Sequence, residues 1–459
     1  MNSIGWRFPP TFWTANLIEL FERAAYYCWF MMLASFLTDV VHYSDIEAGV
    51  IGGVFAAGTY FLPFLSGAFV DRAGYRRALL LALVLLLFGY TGLRIWSQKH
   101  WVLLPMSAIM LGGALFKPII TGMVACSSDA AHRARAFSLF YMMVNIGHVV
   151  GKTVAKPVRT NFGLGVMPLC SAAVTLGALV AVALLFFPKT PSNGTRQGLS
   201  IGEAWRHLTA DLREVLRSGR LMAIVLLTSG FWIIQTQMYS SMPKYVLRMV
   251  GTDASPEWYA NINPIVVTLL VVPVTQLARR LSAITSIALA MALIPVSALL
   301  IAQLPHFIGP VPLPGMLRLG PLAGAAGILH PVTVAMALGI AMQGLSECFL
   351  SPRYLEYTSR QAPPGKEALY MGYANMNRFF AWLIGYSLSG FLLNAFCPDP
   401  ARLDPKMRLA YQTALRHQSP LPDVYAHANY LWYVFAAIGG FAFLLLIAYS
   451  VLTNKPKAQ

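Results

Sequence analysis

The chain has 459 residues, of which 57% are hydrophobic and only 11% charged, with a formal net charge of +16. Soluble domains usually carry about 25% charged residues, so the composition excludes an ordinary soluble globular protein and points to lipid as the surrounding solvent. The positive charge does not indicate nucleic acid, because the Lys and Arg residues are spread over short loops instead of being gathered on one face.

Twelve apolar segments follow one another along the chain, at roughly 11–40, 44–70, 78–97, 101–127, 132–159, 163–187, 221–250, 257–278, 281–304, 326–359, 368–396 and 428–452. At about 1.5 Å per helical residue, each is long enough to cross a hydrocarbon core of about 30 Å. The expected fold is therefore an all-α membrane protein with twelve transmembrane helices in two six-helix bundles. Residues 1–187 form the first bundle, 188–220 a connector and 221–459 the second bundle. No cleavable signal peptide is expected at the N-terminus. The five cysteines show neither metal spacing nor a disulfide framework. No catalytic residues, metal or cofactor are expected, and the chain is not read as an enzyme.

The first span contains "IELFERAAYY", which carries charge into hydrocarbon. Glu19, Glu22, Arg23 and Tyr26 stand at i, i+3, i+4 and i+7, on one helical face. A charge at mid-span costs about 2.5–3.5 kcal/mol on insertion scales, so charges sharing a face are expected to pair or to line a wet cavity. The loop after the second span, "GAFVDRAGYRR", supplies Asp71, Arg72, Arg76 and Arg77. Asp71 can cap a neighbouring helix while the arginines hold one face closed through ion pairs. These arginines, together with Arg133, Arg135, Arg279, Arg280 and the basic connector, put both termini in the cytoplasm by the positive-inside rule.

Span four carries Lys117 with no counterion nearby in sequence, so its partner is expected from another span, the span-one cluster first. Span five sets Asn145, His148, Lys152, Lys156 and Arg159 along a single helical stripe. Lys156 and Arg159 read as snorkelling toward the interface, whereas His148 and Lys152 lie deeper and make a candidate anion stripe. In the connector, Ile201, Trp205, Leu208, Leu212 and Leu216 recur at helical spacing among charges, which predicts an amphipathic helix on the membrane surface. The loop at about 305–325 is so rich in Pro and Gly that no regular element is expected there, and neither it nor the loop at 397–427 suggests a function.

Several of these stretches match family signatures. "GAFVDRAGYRR" resembles the loop motif of the major facilitator superfamily. "ELFERAAYY", "LGGALFKP", "FSLFYMMVNIGHVVG" and "SECFLSP", with "YFLP" in span two, resemble in order the signatures of the proton-dependent oligopeptide transporter family. The resemblance covers both halves of the chain. It implies a proton-coupled symporter that imports di- or tripeptides by alternating access, with Glu19, Glu22, Arg23, Lys117 and Glu347 in proton coupling. It also implies substrate contacts from Tyr26, Tyr27, Tyr60, Lys117, Asn145, Gln237 and Glu347, with Glu347 near the peptide amino group and facing Lys117. The implied setting is a bacterial-type inner membrane and a functional monomer, whose partners are a small-molecule substrate and the bilayer.

Two positions depart from the family pattern. Phe30 stands where relatives usually carry an arginine, and in "FWIIQTQ" Thr236 takes the place of its glutamate partner. Both charges being absent, the outer gate is expected to close by neutral contacts. Arg353, directly after the Ser-Pro of span ten, is a further cation outside the motif. These departures keep two alternatives open: a carrier of a non-peptide small anion, and a membrane sensor or scaffold that does not transport.

Overall fold

The computed structural model describes residues 8–64, 66, 73–128, 132–185, 201–312, 328–362, 370, 373–417 and 419–453. Among these residues, twelve main helices, numbered α1 to α12, follow the apolar segments. They are α1 (Pro10–Phe30), α2 (Asp45–Phe61), α3 (Tyr75–Ile95), α4 (Leu103–Cys126), α5 (Arg133–Phe162) and α6 (Met167–Leu185), then α7 (Gly219–Thr236), α8 (Ile262–Leu277), α9 (Ala283–Phe307), α10 (Pro331–Gln361), α11 (Met376–Phe396) and α12 (Tyr430–Thr453). Among the described residues, nine helical stretches are long and apolar enough to span a membrane. The remaining three main helices differ for readable reasons. Helix α1 carries Glu19, Glu22 and Arg23, α2 is described over 17 residues only, and α5 holds the basic stripe. Large apolar side chains such as Val84, Phe88, Leu269, Phe441 and Leu444 are exposed along these helices, as lipid-facing surfaces require.

The predicted connector helix is present as Ile201–Arg217. Elsewhere the loops hold more structure than their composition suggests. The Pro/Gly-rich stretch contributes Val311–Pro312 (β1), paired antiparallel with Ile328–Leu329 (β2), which corrects the expectation of no regular element. The loop after α11 forms a thirteen-residue helix, Pro405–His417.

Two compact units result, and they are not simply the two halves of the sequence. The first comprises residues 1–31, 39–42 and 58–212; the second comprises 32–38, 43–57 and 213–459. Segments from the far ends of spans one and two thus pack with the C-terminal helices. Span one breaks where it passes into the second unit: α1 ends at Phe30, and Met32 (φ −111°, ψ 16°) leaves the helical region before a short helix resumes at Leu33.

Glycines permit the closest helix approaches in each unit. In the first, Gly147 and Gly151 lie one turn apart on α5 and face the backbone of α1. A Cβ at Gly147 would stand 2.7 Å from Arg23 Cβ, and one at Gly151 would collide with Ala24 O. In the second, a Cβ at Gly49 of α2 would meet Gly390 Cα of α11 at 2.9 Å. Larger residues fill the space around these approaches, with Trp29 against Tyr90 in the first unit and Tyr245 against Trp432 in the second.

Gly151→Ala is expected to push α5 away from α1 and destabilise the protein by about 1–3 kcal/mol, the usual cost of overpacking. Gly113→Ala, where an added Cβ meets nothing within 4 Å, is the matched control. Thermal unfolding of the purified variants in detergent tests this, and equal melting temperatures would remove the close-packing account.

Candidate functional site

In the first unit, the face predicted for α1 is buried and organised around Arg23. Its Nε donates to Glu22 Oε2 at 2.6 Å and lies 3.3 Å from Glu19 Oε1, and its Nη2 also meets Glu22. Two carboxylates therefore share one guanidinium, and Glu19, Glu22 and Arg23 are each less than a tenth exposed. The second oxygen of Glu22, Oε1, is buried without a hydrogen-bond partner among the described residues. Helix α5 reaches this cluster through Gly147, whose missing side chain leaves room for the stem of Arg23. The glycine of the span-five motif thus acts in packing, setting the distance between two charged helices.

Lys117 on α4 lies within electrostatic reach of Glu19, as expected, and also meets neutral groups of α2. Its Nζ is 3.5 Å from Thr59 O and 4.7 Å from the centroid of the Tyr60 ring. Tyr26 lies under Arg23 at 5.4 Å and stacks on Phe30 at 4.7 Å. Tyr27 contacts two members of the span-five stripe. The His148 ring is 4.0 Å from its centroid, and Lys152 Nζ is 5.4 Å away. Lys152 is only 1% exposed, which identifies it as a buried cation and separates it from a side chain reaching for the interface. Asn145 Nδ2 donates to Tyr141 O at 2.9 Å on its own helix. Glu19, Glu22, Arg23, Tyr26, Tyr27, Tyr60, Lys117, Asn145, His148 and Lys152 all belong to this one unit.

The second unit contains Glu347 on α10, partly buried. Gln235 Nε2 of α7 and Asn263 Nδ2 of α8 approach its Oε2 at 3.1 and 3.4 Å. Neither amide was foreseen, although Gln235 lies inside the quoted "FWIIQTQ". Gln237, expected to bind substrate, is fully buried and committed internally. Its Nε2 donates to Ile233 O at 2.8 Å and Gly385 O at 3.1 Å, and its Oε1 accepts from Ser240 and Ser241 hydroxyls at 2.9 and 2.7 Å. This corrects its assignment: Gln237 ties α7 to α11 and has no group left for a ligand. Arg353 is also structural, with Nη1 paired to Glu356 at 2.6 Å and Nη2 donating to Ala278 O. Of the loop arginines, Arg76 donates to Ala183 O at 3.0 Å and Arg77 is exposed, while Asp71 and Arg72 lie outside the described residues.

Beside the two neutral positions on which the expected outer gate rests, the structure holds charges that the motifs do not mark. Phe30 and Thr236 are neutral as read, and Thr236 Oγ1 donates to Ile233 O at 2.8 Å. A charged cluster nevertheless lies in the second unit at the far ends of spans two and seven. Asp45 receives Lys244 Nζ at 2.6 Å and Arg248 at 2.9 and 3.0 Å, and Arg248 also donates to Cys397 O. All three side chains are buried. The available signal was the i, i+4 pair of Lys244 and Arg248 at the end of an apolar segment, which requires an anion from elsewhere.

These features agree with what the chain is similar to. The Major Facilitator Superfamily family model matches residues 15–317. The chain belongs to the major facilitator superfamily. It is 31% identical over 250 residues to the dipeptide and tripeptide permease B of Salmonella typhimurium, covering 53% of this chain and 49% of that protein. With the corresponding permease of Shigella dysenteriae serotype 1 it shares 32% identity over 181 residues, 38% of this chain and 37% of that one. The matches thus span at most about half the length of these curated relatives. Among solved structures, a peptide transporter POT superposes with a TM-score of 0.73 at 19% identity, covering 99% of this chain and 96% of the other. A POT family transporter solved with 5-aminolevulinic acid gives 0.70 at 16%, covering 99% and 98%. The resemblance drawn from the sequence motifs and the major facilitator fold are both borne out, and the chain is a multi-pass membrane protein of a transporter superfamily.

Asp45→Asn is expected to destabilise the protein by about 3–5 kcal/mol, because it removes the carboxylate shared by two buried cations. Replacing all three charges together (Asp45→Leu, Lys244→Met, Arg248→Met) should recover most of that loss. Thermal unfolding of the single and triple variants decides the matter. A triple variant as unstable as Asp45→Asn would mean that the charges matter for more than mutual neutralisation.

Proposed function

We propose that the protein is a proton-coupled symporter that imports di- or tripeptides, or close mimics, by alternating access. The observation that carries this is the buried cluster on α1, where two carboxylates share one guanidinium and Glu22 Oε1 remains without a hydrogen-bond partner among the described residues. A proton bound at that oxygen would remove the charge of Glu22 from the Arg23 pair while leaving the hydrogen bond from Arg23 to Oε2 in place. Lys117, over Tyr60 and near Glu19, is the cation suited to a peptide carboxylate. Glu347, held by Gln235 and Asn263, is the anion suited to a peptide ammonium. Tyr26, Tyr27, Tyr60 and Asn145 supply polar groups near the charges.

Protons are the coupling ion and no other cofactor is proposed. Each proton moving through 100 mV supplies about 2.3 kcal/mol, enough for roughly fifty-fold accumulation at 1.4 kcal/mol per decade. The setting proposed is a bacterial inner membrane with both termini cytoplasmic. The functional unit proposed is a single chain. The relatives named as dipeptide and tripeptide permeases support the substrate class.

A second reading, transport of a small non-peptide anion, is favoured by one observation: Lys152 is buried against Tyr27 beside His148. Reconstituted liposomes under an imposed inward proton gradient distinguish the two. Accumulation of dialanine is expected; failure with dialanine and robust accumulation of a non-peptide anion would replace the first reading by the second. Glu22→Gln should abolish gradient-driven accumulation while preserving counterflow exchange, and unchanged accumulation would remove Glu22 from the coupling path. Lys152→Ala should weaken anionic substrates more than neutral ones; equal weakening would return Lys152 to a packing role.

A further inference from the structure

Arg378 is the third residue of α11, and the function described above leaves it unused. Its guanidinium carbon stands 4.2 Å from the centroid of the Trp232 ring. Trp232 lies thirteen residues beyond the start of α7 at Gly219, so about 20 Å along the helix axis at 1.5 Å per residue. Arg378 therefore sits well inside the span and away from the interface, where a long cationic side chain could reach headgroups. Its backbone is pinned there. Asn377 Nδ2 donates to Thr228 Oγ1 of α7 at 3.2 Å, and the Tyr354 hydroxyl of α10 donates to Ala374 O at 2.7 Å.

Among the described residues, Arg378 makes no ion pair, in contrast to other inward cations of the same unit. Lys244 and Arg248 share the carboxylate of Asp45, and Arg353 pairs with Glu356. A half-buried guanidinium inside a span and without a carboxylate is suited to an anion that comes and goes. The indole face orients the cation. The N–H groups lie in the guanidinium plane, in the fork that matches a carboxylate with two parallel hydrogen bonds.

The neighbouring turn of α7 indicates which anion. Gln235 follows Trp232 by three residues, so the two side chains share a face of the helix. Gln235 holds Glu347 and Trp232 holds Arg378, which sets a carboxylate and a guanidinium one turn apart along α7. We propose that Arg378 is a specificity-determining residue that receives an acidic side chain, while Glu347 receives the ammonium of the same substrate residue. In an amino-terminal Asp or Glu those two groups are joined by a few carbons, a separation suited to one helical turn. The preferred substrates are then di- or tripeptides whose first residue is acidic. This rests on the peptide reading of the site.

The test uses the full-length protein in liposomes, with labelled dialanine uptake competed by unlabelled Glu-Ala, Ala-Ala and Lys-Ala. Glu-Ala is expected to compete at about tenfold lower concentration than Ala-Ala, equivalent to about 1.4 kcal/mol, and Lys-Ala more weakly than either. In Arg378→Gln the Glu-Ala to Ala-Ala ratio should collapse to near one; an unchanged ratio overturns the proposal. Should that variant fail to fold, Arg378→Lys keeps the charge but loses the fork and must still lower the ratio several-fold, or the proposal fails. Thermal unfolding in detergent with added Glu-Ala separates this inference from the transport reading. If no peptide is taken up, stabilisation of the wild type but not of Arg378→Gln sinks peptide transport and keeps the anion site. Equal shifts in both proteins sink the anion site itself.

Discussion

A charge inside hydrocarbon has no water to hold it, and that constraint arranges most of the polar residues in this protein. Each compact unit meets it in its own way. In the first, Arg23 lies between two carboxylates, and the excess negative charge is offset by Lys117 nearby. In the second, Asp45 lies between two cations, Lys244 and Arg248, in the opposite balance. Three buried charges with one sign in excess are an uneconomical way to join helices, since apolar residues of similar volume often pack as stably. Their retention suits groups that must change protonation or release one another.

Close helix approach makes those charge clusters possible. Helix α5 comes near enough to α1 for the Arg23 side chain to run past it only because Gly147 and Gly151 have no Cβ. Similarly, α2 lies against α11 at Gly49 and Gly390, which brings the start of α2 beside the carbonyl of Cys397 that receives Arg248. Backbone proximity thus comes first, and ion-pair geometry follows from it. A side chain added at either crossing would change electrostatics by shifting the backbone, without replacing a charged residue.

The spans were legible in the sequence because a twenty-residue apolar run has few alternatives, and the α1 cluster because its members share one helical face. The Asp45 cluster was not. Asp45 and Arg248 are 203 residues apart, and local spacing says nothing about a pairing that depends on which helix ends meet. Gln237 misled for a related reason: a polar residue in an apolar span looks available until its acceptor on α11 and its donors in the following turn are known. The division into units was hidden too, since nothing in residues 32–38 or 43–57 shows that they pack with helices encoded far downstream. Sequence pattern gave the short-range part of the site, and the long-range part had to come from the fold.

Arg378 shows how these two kinds of information combine. By sequence it is one cation near the start of an apolar segment, easily assigned to the interface. Its contact with Trp232 moves it inward, and its lack of a carboxylate among the described residues distinguishes it from Arg353, which looked the more conspicuous of the two. Arg353 satisfies its charge within three residues of its own helix and needs no ligand. Among the described residues Arg378 meets the face of an indole and no carboxylate, and an indole attracts a cation but does not neutralise it. In a span, that difference separates a residue that supports the fold from one whose counter-charge must arrive with the substrate.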